Sequence, residues 1–160
     1  MTLAGRLSCS GVVAVLVTII VALLFKFVVA GKTVPGTDGR DVIVLEPSER
    51  HLVLGEMRQF LSGIQIITTA LTHNDLQTVA ATARALGTAA AAGVPGTLMA
   101  KLPLGFKHLG LSVHRDFDQI ALDAESLGDA QHTVSQLGTL MNRCVACHSA
   151  FQIRVLPRPN

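Results

Sequence analysis

Tryptophan and tyrosine are absent from the 160-residue chain, and six Phe leave the aromatic share at 4%. Sandwiches and barrels draw on Tyr, Trp and Thr to fill their sheets, so this scarcity, beside an abundance of Ala and Leu, points to an all-α domain. An excess of one charge is missing as well. The formal net charge is +2, and once Arg6 and Lys26 are set aside the remaining 11 basic residues equal the 11 acidic ones. That balance leaves no electrostatic footprint for nucleic acid. The length holds one hydrophobic core rather than two, with room for an appendage.

What is present first is a long apolar run. No charge falls between Leu7 and Phe25, and Gly11 to Phe25 is apolar except for Thr18, long enough to cross a bilayer core. Residues 1–30 therefore read as a membrane anchor or as a secretory signal cut after Val28-Val29-Ala30. The length of the run and the interior Lys26 favour the anchor. Cys9 lies at the start of this segment, far from the other two cysteines, and reads as a small apolar residue in lipid. Residues 31–47 carry Pro, Gly and Asp punctuation and read as a linker. Inside it, Val42-Ile43-Val44-Leu45 either packs on the domain or lies at the lipid surface.

Residues 48–160 show apolar positions at alternating spacings of three and four, the signature of amphipathic helices. The first stripe is Val53, Met57, Phe60, Ile64, Ile67 and Leu71, opening near Pro47 or Ser48. Thr72-His73-Asn74-Asp75 has the form of a capping box for a second helix through Leu76, Val79, Ala83, Leu86 and Ala90. Gly87, Gly93, Pro95, Gly96 and Pro103 bracket a long connection with a brief helical turn. The third stripe runs from Phe106 through Val113 and Phe117 to Leu127, where Gly128 stops it. Asp129 caps a fourth helix with a seam at Ala130, Val134, Leu137, Met141, Cys144, His148, Phe151 and Val155. The expected fold is an antiparallel four-helix bundle behind an N-terminal transmembrane helix.

The fourth stripe contains Cys144-Val145-Ala146-Cys147-His148, the spacing of covalent haem c attachment. Three Cys and six His scattered at random over 160 positions would produce it roughly 0.002 times. Residues i and i+3 of a helix share a face, so Cys144 and Cys147 can each form a thioether to one porphyrin, and His148 can offer its imidazole to the iron as proximal ligand. A thioredoxin-like redox pair lacks its βαβ surroundings, a zinc site lacks a second ligand pair, and inert core cysteines remain the plain alternative. Haem c also fixes the side of the membrane: its attachment takes place on the exported face, so the domain is expected in the periplasm or an equivalent compartment.

A helical bundle with CVACH near its carboxyl end resembles the cytochrome c′ family and its six-coordinate, methionine-ligated relatives. The resemblance covers about Ser48 to Arg154, with Phe151 three residues beyond the ligand and the Pro103, Phe106, His114, Phe117 and Asp118 run of the third helix in support. Where the family often has Tyr then Arg, this chain has Phe151 and Gln152, and its nearest base is Arg154. The resemblance implies one covalent haem and places the distal residue at Met57 on the first stripe. A thioether there can reach iron, or it simply fills the core. No Met follows His148, and Met141 lies on the proximal helix. Met99 is the other candidate, and His114, beside the third seam, offers a bis-histidine alternative.

With His148 and Met57 on the iron, the expected function is a monohaem electron carrier, tethered to the membrane or soluble in the periplasm after cleavage, serving redox protein partners of a respiratory chain. No acid, base or nucleophile constellation suggests an enzyme. Binding of nitric oxide or carbon monoxide at an open distal site and a non-haem structural or metal-binding bundle are the rival readings. Bundles of this family can pair through their first two helices, so a homodimer is a further expectation.

Overall fold

A computed structural model describes the backbone of residues 3–155 and the side chains of residues 10–155. The protein is mostly helical, 76%, with a small three-stranded sheet. Helix α1 (Leu3–Leu24) runs into a π-helical turn over Phe25–Ala30. The described side chains of Ser10 to Val29 are exposed, and Ser10–Ala30 is long and apolar enough to span a membrane. Thr18, the polar residue between Gly11 and Phe25, donates its hydroxyl to the Ala14 carbonyl at 2.9 Å. The side chain of Cys9 lies outside the described residues.

The chain leaves this helix at Gly31, whose φ of 64° is a left-handed value that L side chains rarely adopt. A Cβ there would also collide with the backbone of Lys101 to Pro103. Strands β1 (Thr33–Pro35) and β2 (Asp41–Leu45) follow, paired antiparallel with Thr33 opposite Ile43. The stretch expected as a linker is thus part of the fold. Val42 to Leu45 are all buried, Ile43 completely. Four consecutive β-branched or γ-branched apolar residues bury both faces of a strand once a second layer exists to receive them. Of the two placements the sequence left open for this run, the structure has it packed on the domain.

Helix α2 (Pro47–Thr72) starts on a proline, and the Glu49 side chain accepts from the Glu46 backbone N–H at 2.9 Å. Its buried residues are Val53, Phe60, Gly63, Ile67 and Ala70, with Met57, Ile64 and Leu71 partly covered. The stripe read from the sequence holds. The capping box at Thr72 does not: the Thr72 hydroxyl turns back to the Thr69 carbonyl, and Asp75 caps α3 (Leu76–Ala85) by accepting from the Thr78 N–H at 3.0 Å. Ala90 lies beyond α3, in a 3₁₀ turn over Thr88–Gly93, and α4 is a single turn over Gly96–Met99.

Helix α5 (Leu104–Ser126) buries Val113, Phe117, Ile120 and Ala124, as its stripe requires, and also His114. Leu127 is exposed. Helix α6 (Ala130–Ala150) begins with Asp129 accepting from the His132 N–H. It ends earlier than expected. Phe151–Val155 form strand β3, parallel to β2 with Ile43 opposite Ile153. The β-branched Ile153 and Val155 suit the pleat, and β2 offers a free edge that a longer helix could not pair with.

Helices α2, α3, α5 and α6 enclose one core around Phe60, Ile67, Phe117 and Leu140. A second core joins the sheet to α2 and α4 through Ile43, Leu45, Val53, Leu98 and Leu102. Met57 borders both. The ends of the second core are tied by Lys101, whose ammonium meets Glu49 at 2.6 Å and whose carbonyl accepts from Lys32.

Candidate functional site

On α6 the buried positions are Thr133, Leu137 and Leu140, and the half-buried Cys144 and Cys147 continue the same three-four spacing. This is not the seam read from the sequence. Val134 and Met141 are exposed, at 48% and 44%, and His148 is exposed rather than buried. The helix is rotated because Thr133 can enter the core: its hydroxyl donates to the Asp129 carbonyl at 3.1 Å, so its polar atom is satisfied locally. A polar residue whose hydrogen bond is made within its own helix is hard to recognise as core from sequence.

Cys144 and Cys147 are free thiols one turn apart on one face. Burial raises both thiol pKa values, with nearby Asp116 adding to Cys144, and Cys147 is pushed up to about 11 by burial and then by Cys144 beside it. Cys144 Sγ lies 3.8 Å from the Leu140 carbonyl, a thiol held within the helix. Arg143, the preceding residue, forms an ion pair with Asp116 of α5, which pins the start of the motif to the neighbouring helix.

The residues around His148 come from a part of the chain that sequence reasoning took for a linker. Arg40 Nη1 donates to the His148 backbone carbonyl at 3.3 Å, and the same guanidinium pairs with Asp38 at 2.6 Å. Gln152 Nε2 donates to Asp38 at 3.0 Å. A cation at the last turn of a helix meets carbonyls that lack intrahelical partners. Arg40 therefore holds the end of α6 where the imidazole emerges. The His148 carbonyl thus meets a base from 108 residues upstream, a contact that no local signal could reveal.

Met57 sits partly covered where the two cores meet, and Cys144 packs on one of them. Met99 belongs to the second core. His114 is 3% exposed, with Nδ1 at 2.7 Å from the Leu86 carbonyl, Nε2 at 3.2 Å from Glu56, and its ring against Phe60. Both of its nitrogens are thus engaged within the protein, away from CVACH. His51, His73, His108 and His132 are exposed, His132 beside Asp123 at 3.3 Å.

The donor set can be weighed against the group its spacing suggests. Among the described residues no three His, Cys, Asp or Glu side chains gather as a metal-ion cluster. Haem c asks for less: two unoxidised thiols on one helix face and one free imidazole next to them. Those are present in Cys144, Cys147 and the exposed His148. A cavity of about 540 Å³ lies between α2, α4 and α5, but none of Cys144, Cys147, His148 or Met57 lines it. It borders the motif's end only through Phe106, whose ring meets Phe151 edge-on at 5.7 Å.

Comparison with family models, with curated proteins and with solved structures finds no match to this chain.

Proposed function

We propose that the protein is a monohaem c-type cytochrome, held at the membrane by α1, that carries electrons on the exported side. The observation that carries this reading is the pair of free thiols at Cys144 and Cys147 on one face of α6, followed at once by the exposed His148. In this reading α2, α3, α5 and α6 form an antiparallel four-helix bundle of the kind seen in the cytochrome c′ family. The apolar Ser10–Ala30 helix, with its described side chains outside the core, supports an anchor or an export signal.

Cys144 and Cys147 would hold the porphyrin, His148 would be the proximal ligand and Met57 the distal one. The group supplies a one-electron couple, whose potential a thioether ligand raises relative to a second imidazole. The chain's own part is positional. The Arg143–Asp116 pair fixes the start of the motif, and Arg40 fixes its end through the His148 carbonyl. Burial raises the pKa of both thiols, and a thiol is less reactive than a thiolate. Partners are redox proteins reached within the span of the tether, and pairing of two copies through the first two helices of the domain is an associated proposal.

The test is the mass and absorption spectrum of the full chain, matured in a host that exports it. Covalent haem lost on Cys144→Ala with Cys147→Ala supports the reading, and apoprotein from the intact sequence ends it. Carbon monoxide added to the reduced protein then separates carriers from gas binders: an unreactive low-spin spectrum supports the carrier, a rapid change the binding of diatomic gas.

A further inference from the structure

The cavity between α2, α4 and α5 contains none of Cys144, Cys147, His148 and Met57 in its lining. Its volume of about 540 Å³ is that of a small-molecule site. Most of its wall is apolar, with Leu98, Met99, Pro95 and Phe106 among the contributors, and Glu56 and His114 form a polar spot in it.

That spot has a defined hydrogen-bonding character. The Leu86 carbonyl can only accept, so Nδ1 of His114 carries a proton and donates it at 2.7 Å. Nε2 then faces a Glu56 oxygen at 3.2 Å, and two acceptors stay that close only with a proton between them. Whichever partner holds that proton, the other Glu56 oxygen is an acceptor, on a side chain that is 30% exposed. The cavity therefore favours a ligand with a hydroxyl to donate. Phe106, Met99 and Pro95 suit a flat ring, since thioethers and aromatic edges pack well against π-faces.

The position of the cavity indicates where such a ligand comes from. Lys107, in its wall, donates its ammonium to the Val28 carbonyl at 2.8 Å, at the end of the apolar Ser10–Ala30 helix. Leu111, one turn further along α5, also lines the cavity and is partly exposed. The wall of the cavity and the end of that apolar helix thus share one contact, so a helix seated in a bilayer would set this wall close to the membrane surface.

We infer that this cavity binds a membrane-borne quinol, a hydroxylated aromatic ring on an apolar tail, with a ring hydroxyl donating to Glu56. The inference rests on the membrane anchor of the proposed function but not on its haem, because none of Cys144, Cys147, His148 and Met57 lines the cavity. At Glu56 the oxidised quinone, with carbonyls in place of hydroxyls, would set an acceptor against an acceptor, while His51, Gln59 and Lys107 elsewhere in the wall can donate to an oxygen of either form.

The experiment is anaerobic calorimetry on the full matured chain in detergent micelles, with titrations into empty micelles subtracted. The probes are a decyl-substituted benzoquinol, its quinone, and a saturated fatty acid of similar length. The protein is held reduced for the quinol and oxidised for the quinone, so that no probe is consumed. The expected result is one saturable quinol site, at least about tenfold tighter than quinone or fatty acid, a difference of about 1.4 kcal/mol.

Glu56→Leu should bring quinol and quinone within about twofold of each other, a loss of discrimination of roughly 1 kcal/mol. Gly110 lines the cavity and has open space where a Cβ would stand. Gly110→Leu should therefore fill the cavity and abolish binding while circular dichroism shows the helices intact. The inference is overturned by the absence of a saturable site, by equal affinity for quinol and quinone in the intact chain, by a fatty acid that binds as tightly, or by binding that survives Gly110→Leu. The mass of the same sample reports haem separately. Apoprotein that binds quinol sinks the cytochrome reading alone, and haem-loaded protein that does not sinks this one alone.

Discussion

Replacing Ile43 by Ala tests whether residues 31–47 belong to the folded domain. Ile43 is completely buried, paired across to Thr33 on one side and Ile153 on the other, and it packs in the core with Leu45, Val53 and Leu98. The substitution removes three buried carbons at about 0.8 kcal/mol each, and the cavity left behind brings the cost to roughly 3 kcal/mol. With a urea dependence of about 1.5 kcal/mol/M, the unfolding midpoint falls by about 2 M. The thermal midpoint falls by roughly 10 °C for a domain of this size. The assay is urea and thermal unfolding of the full chain in detergent, followed by far-ultraviolet circular dichroism. Val34→Ala is the control: Val34 is 48% exposed on β1, and its truncation should stay within about 0.5 kcal/mol. If Ile43→Ala behaves like that control, the segment is a linker after all and the sheet is not part of the stable fold.

Four further outcomes are expected. In the haem-free chain, the Cys147 thiol, pushed by burial from the ordinary 9.0 up to about 11, should react with iodoacetamide at pH 8 about a hundredfold more slowly than in urea. Equal rates in the two states would contradict its burial. Asp118 accepts from the Thr88 backbone N–H at 3.0 Å and from its hydroxyl, which lowers the carboxyl pKa below 3.8. A depressed folded value means that the stabilisation is present above the unfolded pKa and disappears as pH falls through the folded one. Asp118→Ala should accordingly cost about 1 kcal/mol at pH 7 and progressively less from pH 4 downward, measured by urea unfolding at each pH. On the proposed cytochrome reading, Met57→Ala should convert a low-spin spectrum to one that responds to carbon monoxide, and an unchanged spectrum would assign the distal place to another residue. Arg40→Ala should leave haem attachment intact while loosening the end of α6, read as faster amide hydrogen exchange at Ala150 to Ile153; unchanged exchange would remove Arg40 from its supporting role.

Some of this protein was legible without coordinates. The stripes of α2 and α5 are long and regular, and the buried face of each helix follows them, with Leu127 at the end of α5 the exposed exception, because a helix whose apolar positions repeat at three and four has only one face it can hide. The apolar run before Gly31 and the spacing of Cys144, Cys147 and His148 are likewise properties of order along the chain. Asp129 as a cap is local chemistry, and so is the helix break at Gly128, whose φ is 64°.

What depended on tertiary structure involves partners far apart in sequence. Val42 to Leu45 reads as linker or lipid-facing until β3 arrives more than a hundred residues later to pair with it. The same pairing ends α6 at Ala150, since Phe151 to Val155 gain ladder hydrogen bonds only when β2 lies beside them. The face that α6 buries differs by about one position from its apolar stripe, because Thr133 satisfies its own hydroxyl and Met141 points outward, a choice made by the fit against α5 and not by hydropathy. Periodicity specifies which residues can share a surface; only the packed neighbours decide which surface is covered, and so whether Cys144, Cys147 and His148 end up inside, at the rim or exposed.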